Sequence, residues 1–376
     1  MTTQPRTFRR KQKIPELTPG QFCFGLFSIF CLFLILRNSD TAIEYMNRGL
    51  RLCAKTVIPS LFPFMVISEL IVSGGIGSTL IRPLAPLFRR LFRIPAAGCC
   101  AVLLGMLCGF PVGAKSAMTA LDQGQLTREE AERVLTFSNN PSSAFLINAV
   151  GVSLWGNRKF GVALYIVVLV SQVLTGILFA HLPRRAEAAP EPLRRSPTVS
   201  RSGAAFFTDA VRSACFSMLL VCAYVIFFSA LVGTLNLLLD ALNLPALAKA
   251  SVFCIFELSG GMSAASALSV PGAAALLCAF AAGWSGLSVH CQILSVCDGR
   301  GLRFRFYFLA KLLQSGLCIL LFGAVLALFP SLTVPAQQTA AVALPDLLPL
   351  PIMTVIFLAA LVFVFLRKSK KTQKCR

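Results

Sequence analysis

The sequence predicts an all-α polytopic membrane protein of about eight transmembrane helices and two re-entrant helical hairpins, built as two related halves of opposite orientation. Three observations predict it. Of 376 residues, 56% are apolar and 13% charged, with mean hydropathy +0.76, and the apolar residues gather into segments long enough to cross a bilayer. The basic residues between those segments fit the positive-inside rule only when two of the segments fail to cross. Those same two segments break at glycines, in matching places of the two halves.

Taken in order, the basic stretch 1–21 carries Arg6, Arg9, Arg10, Lys11 and Lys13 and precedes an apolar run at 22–36. Arg37-Asn38-Ser39-Asp40 follows where a secretory signal would place small residues for cleavage, so the run reads as a retained first helix, with an amphipathic segment to 55. The first repeat, 56–180, opens with 56–76, which holds Pro59 and Pro63, and continues through apolar segments at 95–121, 134–156 and 160–180. The linker 181–205 is rich in Pro, Arg, Ala and Glu and divides the chain nearly in half. The second repeat, 206–330, holds segments at 206–235, 246–268, 272–296 and 306–330. A loop and last helix occupy 331–366, and the tail 367–376 is basic.

If all ten segments crossed from a cytoplasmic N-terminus, the linker with Arg184, Arg185, Arg194, Arg195 and Arg201 would lie outside, against the rule. Letting 95–121 return to the cytoplasmic side and 246–268 return to the outside repairs this. The loops carrying Arg82, Arg89, Arg90 and Arg93, and Arg300, Arg303 and Arg305, are then cytoplasmic together with the linker and the tail, and 331–345, with no Lys or Arg, is external. The halves also align: Gly113-Ala114-Lys115-Ser116-Ala117 falls against Gly261-Met262-Ser263-Ala264-Ala265, and the stretch from Phe137 falls against the stretch from Phe280. With the hairpins on opposite sides, this is an inverted repeat.

The breaks, Gly109-Phe110-Pro111-Val112-Gly113 and Ser259-Gly260-Gly261, are the candidate solute sites, because the second half of a broken helix presents free amides and a positive dipole end to an anion. Lys115 and Ser116 follow the first break; Lys115 reads as an anion partner or as a residue snorkelling to the edge. Asn139, Asn140, Ser142 and Ser143 offer amides and hydroxyls, or caps around Pro141. Glu257 reads as a coupling carboxylate or half of an ion pair, with Lys115 sharing its cavity. Ser285, Gly286, Ser288, His290 and Gln292 follow in the second half, His290 as a solute contact, proton relay or structural residue. Glu69, Lys311 and Gln314 lie in apolar runs away from the breaks, where interhelical hydrogen bonding is the expectation.

The net charge of +20 is spread over loops and tails, which argues for membrane orientation and against nucleic acid. Fourteen cysteines are scattered without a CxxC pair and there are two histidines, so neither a disulfide framework nor a metal site is expected. With no nucleotide loop, zinc pair or serine elbow, the chain is expected to be no enzyme and to need no cofactor. The partners are the lipid bilayer, a small anionic solute and a coupling proton or cation; a homo-oligomer stays open.

Pro59-Ser60-Leu61-Phe62-Pro63-Phe64, Cys108-Gly109-Phe110-Pro111-Val112-Gly113-Ala114-Lys115, Phe137-Ser138-Asn139-Asn140 and Gly286-Leu287-Ser288-Val289-His290-Cys291-Gln292 together resemble the YlbJ-type sporulation integral membrane proteins, which carry the nucleoside-recognition or Gate domain twice. The resemblance covers about 45–330. It implies a concentrative-nucleoside-transporter-like fold and a role in moving dipicolinic acid across the outer forespore membrane, with a nucleoside carrier or a non-transporting scaffold as alternatives. The topology has a direct test: an impermeant thiol reagent added to intact cells should modify a cysteine placed in 331–345 and spare cysteines placed in 181–205 or 367–376, and labelling of the linker would refute the scheme.

Overall fold

A computed structural model describes residues 19–74, 77, 81–182 and 203–333. The basic N-terminal stretch, most of the linker, the last predicted helix and the tail lie outside the described residues.

The first apolar run forms α1 (Pro19–Arg37), and the amphipathic segment α2 (Ser39–Leu52) passes through a π turn, Cys53–Val57, into α3 (Ile58–Ser73). Pro59 and Pro63 lack the amide that an α-helix uses, and the widened turn just before them takes up the change in hydrogen bonding. The arginine loop contains a short helix, α4 (Ala85–Phe92), which buries Phe88 and Phe92 and leaves Arg89 and Arg90 exposed. It ends at Arg93 in the left-handed region, φ 53°, and meets α5 (Ala96–Cys108) at 87°.

Almost every residue of α5 is buried. After Gly109-Phe110-Pro111 the chain turns into α6 (Val112–Asp122), which packs back against α5 as a hairpin. A capping box of Thr127 and Glu130 starts α7 (Arg128–Leu135). The predicted apolar segment 134–156 is not one span: α7 stops, residues 136–144 are largely unwound, and a π-helical stretch, Phe145–Leu154, follows. The reason is local. Pro141 disfavours helix at Asn140, and asparagine and serine side chains offer the backbone other partners. Asn157 then caps α8 (Arg158–His181).

The second half opens with α9 (Gly203–Ala241), whose 39 residues far exceed a bilayer core. A second hairpin follows, α10 (Ala246–Phe256) and α11 (Leu258–Ser266), packed on each other. Its break falls at Glu257, two residues before the predicted Ser259-Gly260-Gly261, because the Glu257 side chain caps α11 and lets the helix start early. Next, α12 (Pro271–Trp284) is interrupted at Ser285 and Gly286, φ 76° and 84°, before α13 (Leu287–Cys297), and α14 (Arg305–Leu328) completes the set.

The chain is therefore all-helical among the described residues, and hairpin, broken segment and long helix occur twice in that order. Among the described residues four helical stretches are long and apolar enough to cross a membrane, namely α8, α9, α12 with α13, and α14, or five when α4 and α5 are counted as one bent span. The halves exchange partners: α6 packs on α13, and α11 packs on the π stretch 145–154. Accordingly one core joins Leu103, Met118 and Phe137 to Val289 and Ile293, and a second joins Leu146 and Leu164 to Met262 and Ala275. At the arginine-bearing end, Arg300 makes a two-point contact with Asp122, and Arg303 reaches Glu132 at 3.4 Å. The Asp122 carboxylate holds the Arg300 guanidinium above its ordinary pKa.

Glycine sets the closest approach. The Ser138 carbonyl nests between Gly105 and Gly113, where an added Cβ would lie 2.0 and 2.2 Å from the oxygen. Gly105→Ala and Gly113→Ala should each lower stability by roughly 1–3 kcal/mol or prevent accumulation. Gly316→Ala, in α14 with nothing within 4 Å of its Cβ, should be neutral or slightly stabilising. Thermal unfolding in detergent reads the contrast, and equal behaviour of the three variants would contradict the docking.

Candidate functional site

The unwound segment puts backbone groups where no solvent reaches, so each needs a partner from the chain. Asn139 Oδ1 accepts from the Ala114 amide at 2.9 Å, and the Asn140 carbonyl accepts from the Phe110 amide at 2.9 Å, so two consecutive asparagines hold the tip of the first hairpin. Asn139 Nδ2 donates to Leu135 O and Ser138 Oγ, and Asn140 Nδ2 donates to Phe137 O. Gly109, φ 78°, lies against the Ser142 backbone, where a Cβ would come within 2.6 Å.

A buried cation completes this knot. Lys311 of α14 donates to Asn139 O at 2.9 Å, Asn140 Oδ1 at 3.1 Å and Gln314 Oε1 at 3.1 Å, and Gln314 Nε2 donates to Asn140 Oδ1 at 2.7 Å. Lys311 was expected away from the breaks; the fold brings α14 across to the first one. The signal in the sequence was a Lys and a Gln three residues apart, which share one face of an otherwise apolar helix.

Lys115 goes elsewhere. Its ammonium pairs with Glu69 at 3.0 Å and donates to the Ser213 carbonyl at 3.0 Å, while Ser73 Oγ donates to Glu69 Oε1. It therefore ties α6 to α3 and α9, and Lys115 does not line the cavity it was expected to share with Glu257: an acidic partner on α3 was already within reach. Glu257 is buried and accepts from the Ser259 amide at 2.9 Å and from the Gly260 amide, so the chain's own carboxylate occupies the α11 N-terminus where an anionic solute was expected. Gly286 lies against Glu257 and Leu258, docking the second hairpin on the second break much as Gly109 docks the first.

Between the two docked tips lies a cavity of about 50 Å³. Its lining takes Phe110, Ser142 and Phe145 from the first half and Glu257, Leu258, Ser259, Ser288, Val289 and Gln292 from the second, with Val57, Leu61, Val221 and Val225 as an apolar wall. Of the predicted residues it gathers Phe110, Ser142, Glu257, Ser259, Ser288 and Gln292. The others stand apart from its lining: Gly109, Pro111, Gly113 and Ser116 in the first hairpin, Asn139 and Asn140 in the knot, Gly260 and Gly261 in α11, and Ser285 and Gly286 at the second break. His290 is outside the lining too, with Nδ1 2.8 Å from Tyr307 Oη and its ring against Trp284. Glu257 is the one ionisable residue in the lining.

The two breaks differ in satisfaction. The polar side chains of Asn139 and Asn140 are fully engaged, whereas Ser285 Oγ, Ser288 Oγ, His290 Nε2 and Gln292 Oε1 are buried without a hydrogen-bonding partner in the chain. Unpaired buried groups are costly, and of these residues Ser288 and Gln292 line the cavity. Both residues stand out in the sequence as polar groups after the second break, but which break stays open depends on partners that only packing supplies.

No protein-family model matches the chain, and no solved structure matches it. A curated relative does: the chain is 28% identical over 326 residues, covering 77% of its length and 79% of the relative's, to the sporulation integral membrane protein YlbJ of Bacillus subtilis (strain 168). Double-mutant cycles in detergent test the corrected pairing. Glu69→Gln with Lys115→Met should couple by about 1–3 kcal/mol, while Glu257→Gln with Lys115→Met should be additive within roughly 0.5 kcal/mol; coupling in the second cycle alone would reverse the correction.

Proposed function

On the footing of a YlbJ-type integral membrane protein, a family the likeness supports, we propose that this chain is a transporter of a small polar solute, built as an inverted repeat of the Gate type and bound at the cavity between its two hairpin tips. The observation that carries the reading is the pair of buried unpaired groups, Ser288 Oγ and Gln292 Oε1, on residues that line one cavity with the buried carboxylate of Glu257, where two chain breaks meet. A scaffold has no need of open polar groups at that depth. The apolar wall and the aromatic rings of Phe110 and Phe145 suit a planar ring, and the hydroxyls and amide suit its polar edge.

The relative's name places it in sporulation, and dipicolinate is the first solute to test, at the outer forespore membrane. Its two negative charges meet Glu257 and no cation in the cavity lining, so it travels with protons or a cation that offset them. A nucleoside is the second reading, favoured by the absence of a cation from that lining. At about 50 Å³ the cavity holds a few waters, so loading either solute requires the hairpins to part.

Purified protein in liposomes should show saturable uptake of dipicolinate, with nucleosides as the comparison. Leu61→Trp should fill the cavity and cut flux at least tenfold with the protein still accumulating, and Glu257→Gln should flatten the pH dependence of uptake. Absence of saturable flux for both solute classes would sink the transporter reading.

A further inference from the structure

The first break contains a site whose geometry is that of a bound cation, and the chain supplies the cation itself. Lys311 is 1% exposed, and its ammonium has three donors and three oxygen partners: Asn139 O, Asn140 Oδ1 and Gln314 Oε1 at 2.9–3.1 Å. All three oxygens are neutral carbonyl or amide dipoles, and among the described residues no carboxylate pairs with it. A cage of carbonyl-type oxygens standing in for water is how proteins hold a bare monovalent ion.

We propose that Lys311 is a tethered cation filling an oxygen-lined site on the unwound segment of the first half, a site that would otherwise take a small monovalent cation, sodium or a primary alkylammonium, from solution. Two further observations support it. The same two asparagines that receive the ammonium hold the first hairpin, Asn139 through the Ala114 amide and Asn140 through the Phe110 amide, so the positive charge braces the hairpin tip through them. Among the described residues the second break has no tethered cation and keeps unpaired polar groups, so the two breaks divide roles: one filled from within by the Lys311 side chain, the other open to an exogenous ligand. An ion bound from solution would then belong to the cavity beside Glu257. This last step rests on the transporter reading; the tethered cation itself does not.

The test uses the full chain in detergent and reads stability, not flux. Lys311→Ala removes the ammonium and leaves room for a small ion, whereas Lys311→Met fills the same volume without charge. Against choline chloride at equal ionic strength, Lys311→Ala should melt roughly 5 °C or more below the native protein and recover, with saturable concentration dependence, in methylammonium, ethylammonium or sodium chloride. Lys311→Met should be destabilised and show no rescue beyond whatever response the native protein has to the same salts, whereas the rescue of Lys311→Ala should exceed that response. A Lys311→Met protein as stable as the native one, or a Lys311→Ala protein that responds equally to choline and to the small cations, would overturn the proposal. If Lys311→Ala fails to accumulate, extraction in methylammonium chloride is the same test, and no recovery relative to choline overturns it too. Because melting is read without solute, a failure here is distinct from a failure of uptake.

Discussion

The unwound segment at 138–142 is the constraint around which the core is arranged. It places bare carbonyls and amides inside an apolar protein, and each one left without a partner costs about 1–3 kcal/mol or more at such depth. Gly105 and Gly113 let the Ser138 carbonyl come close, the asparagines capture hairpin amides, and Lys311 with Gln314 crosses from the other half to finish the network. Because the partners come from α5, α6 and α14, satisfying one short segment locks both halves together.

The two hairpins meet this constraint by different chemistry. The first leans on a cation and amide side chains, while the second leans on a carboxylate: Glu257 caps α11 and presents its buried oxygens beside the cavity. An amine at one tip and a carboxyl group at the other are each held mainly by neutral dipoles, so the space between them is polar without a row of like charges.

Partner exchange between the halves also bears on motion. Since α6 packs on α13 and α11 packs on the π stretch, neither hairpin can part from the cavity without sliding against the opposite half. The arginine-bearing end adds Arg300 to Asp122 and Arg303 to Glu132 across the same boundary. The Arg300–Asp122 pair is partly exposed and contributes little net stability, whereas Glu132 is buried and ties Arg303 more firmly.

Much of this was legible in the amino-acid order, because the properties concerned are local. Segment hydropathy marked helices now seen as α1, α5, α8, α9, α12 and α14, and the Gly-Phe-Pro and Asn-Asn-Pro stretches marked interruptions, since missing donors and competing side chains disfavour helix wherever they fall. The residues Ser142, Glu257, Ser288 and Gln292 stood out as polar groups in apolar surroundings and the fold gathers them in one cavity. Partner choice was not legible. Lys115 could have met Glu69 or Glu257, and Lys311 looked remote from both breaks, because a charge 20 or 200 residues away along the chain is equally available once helices pack. Which helix face turns toward which neighbour depends on close glycine contacts and on the sum of buried polar demands, and both exist only after the halves have come together.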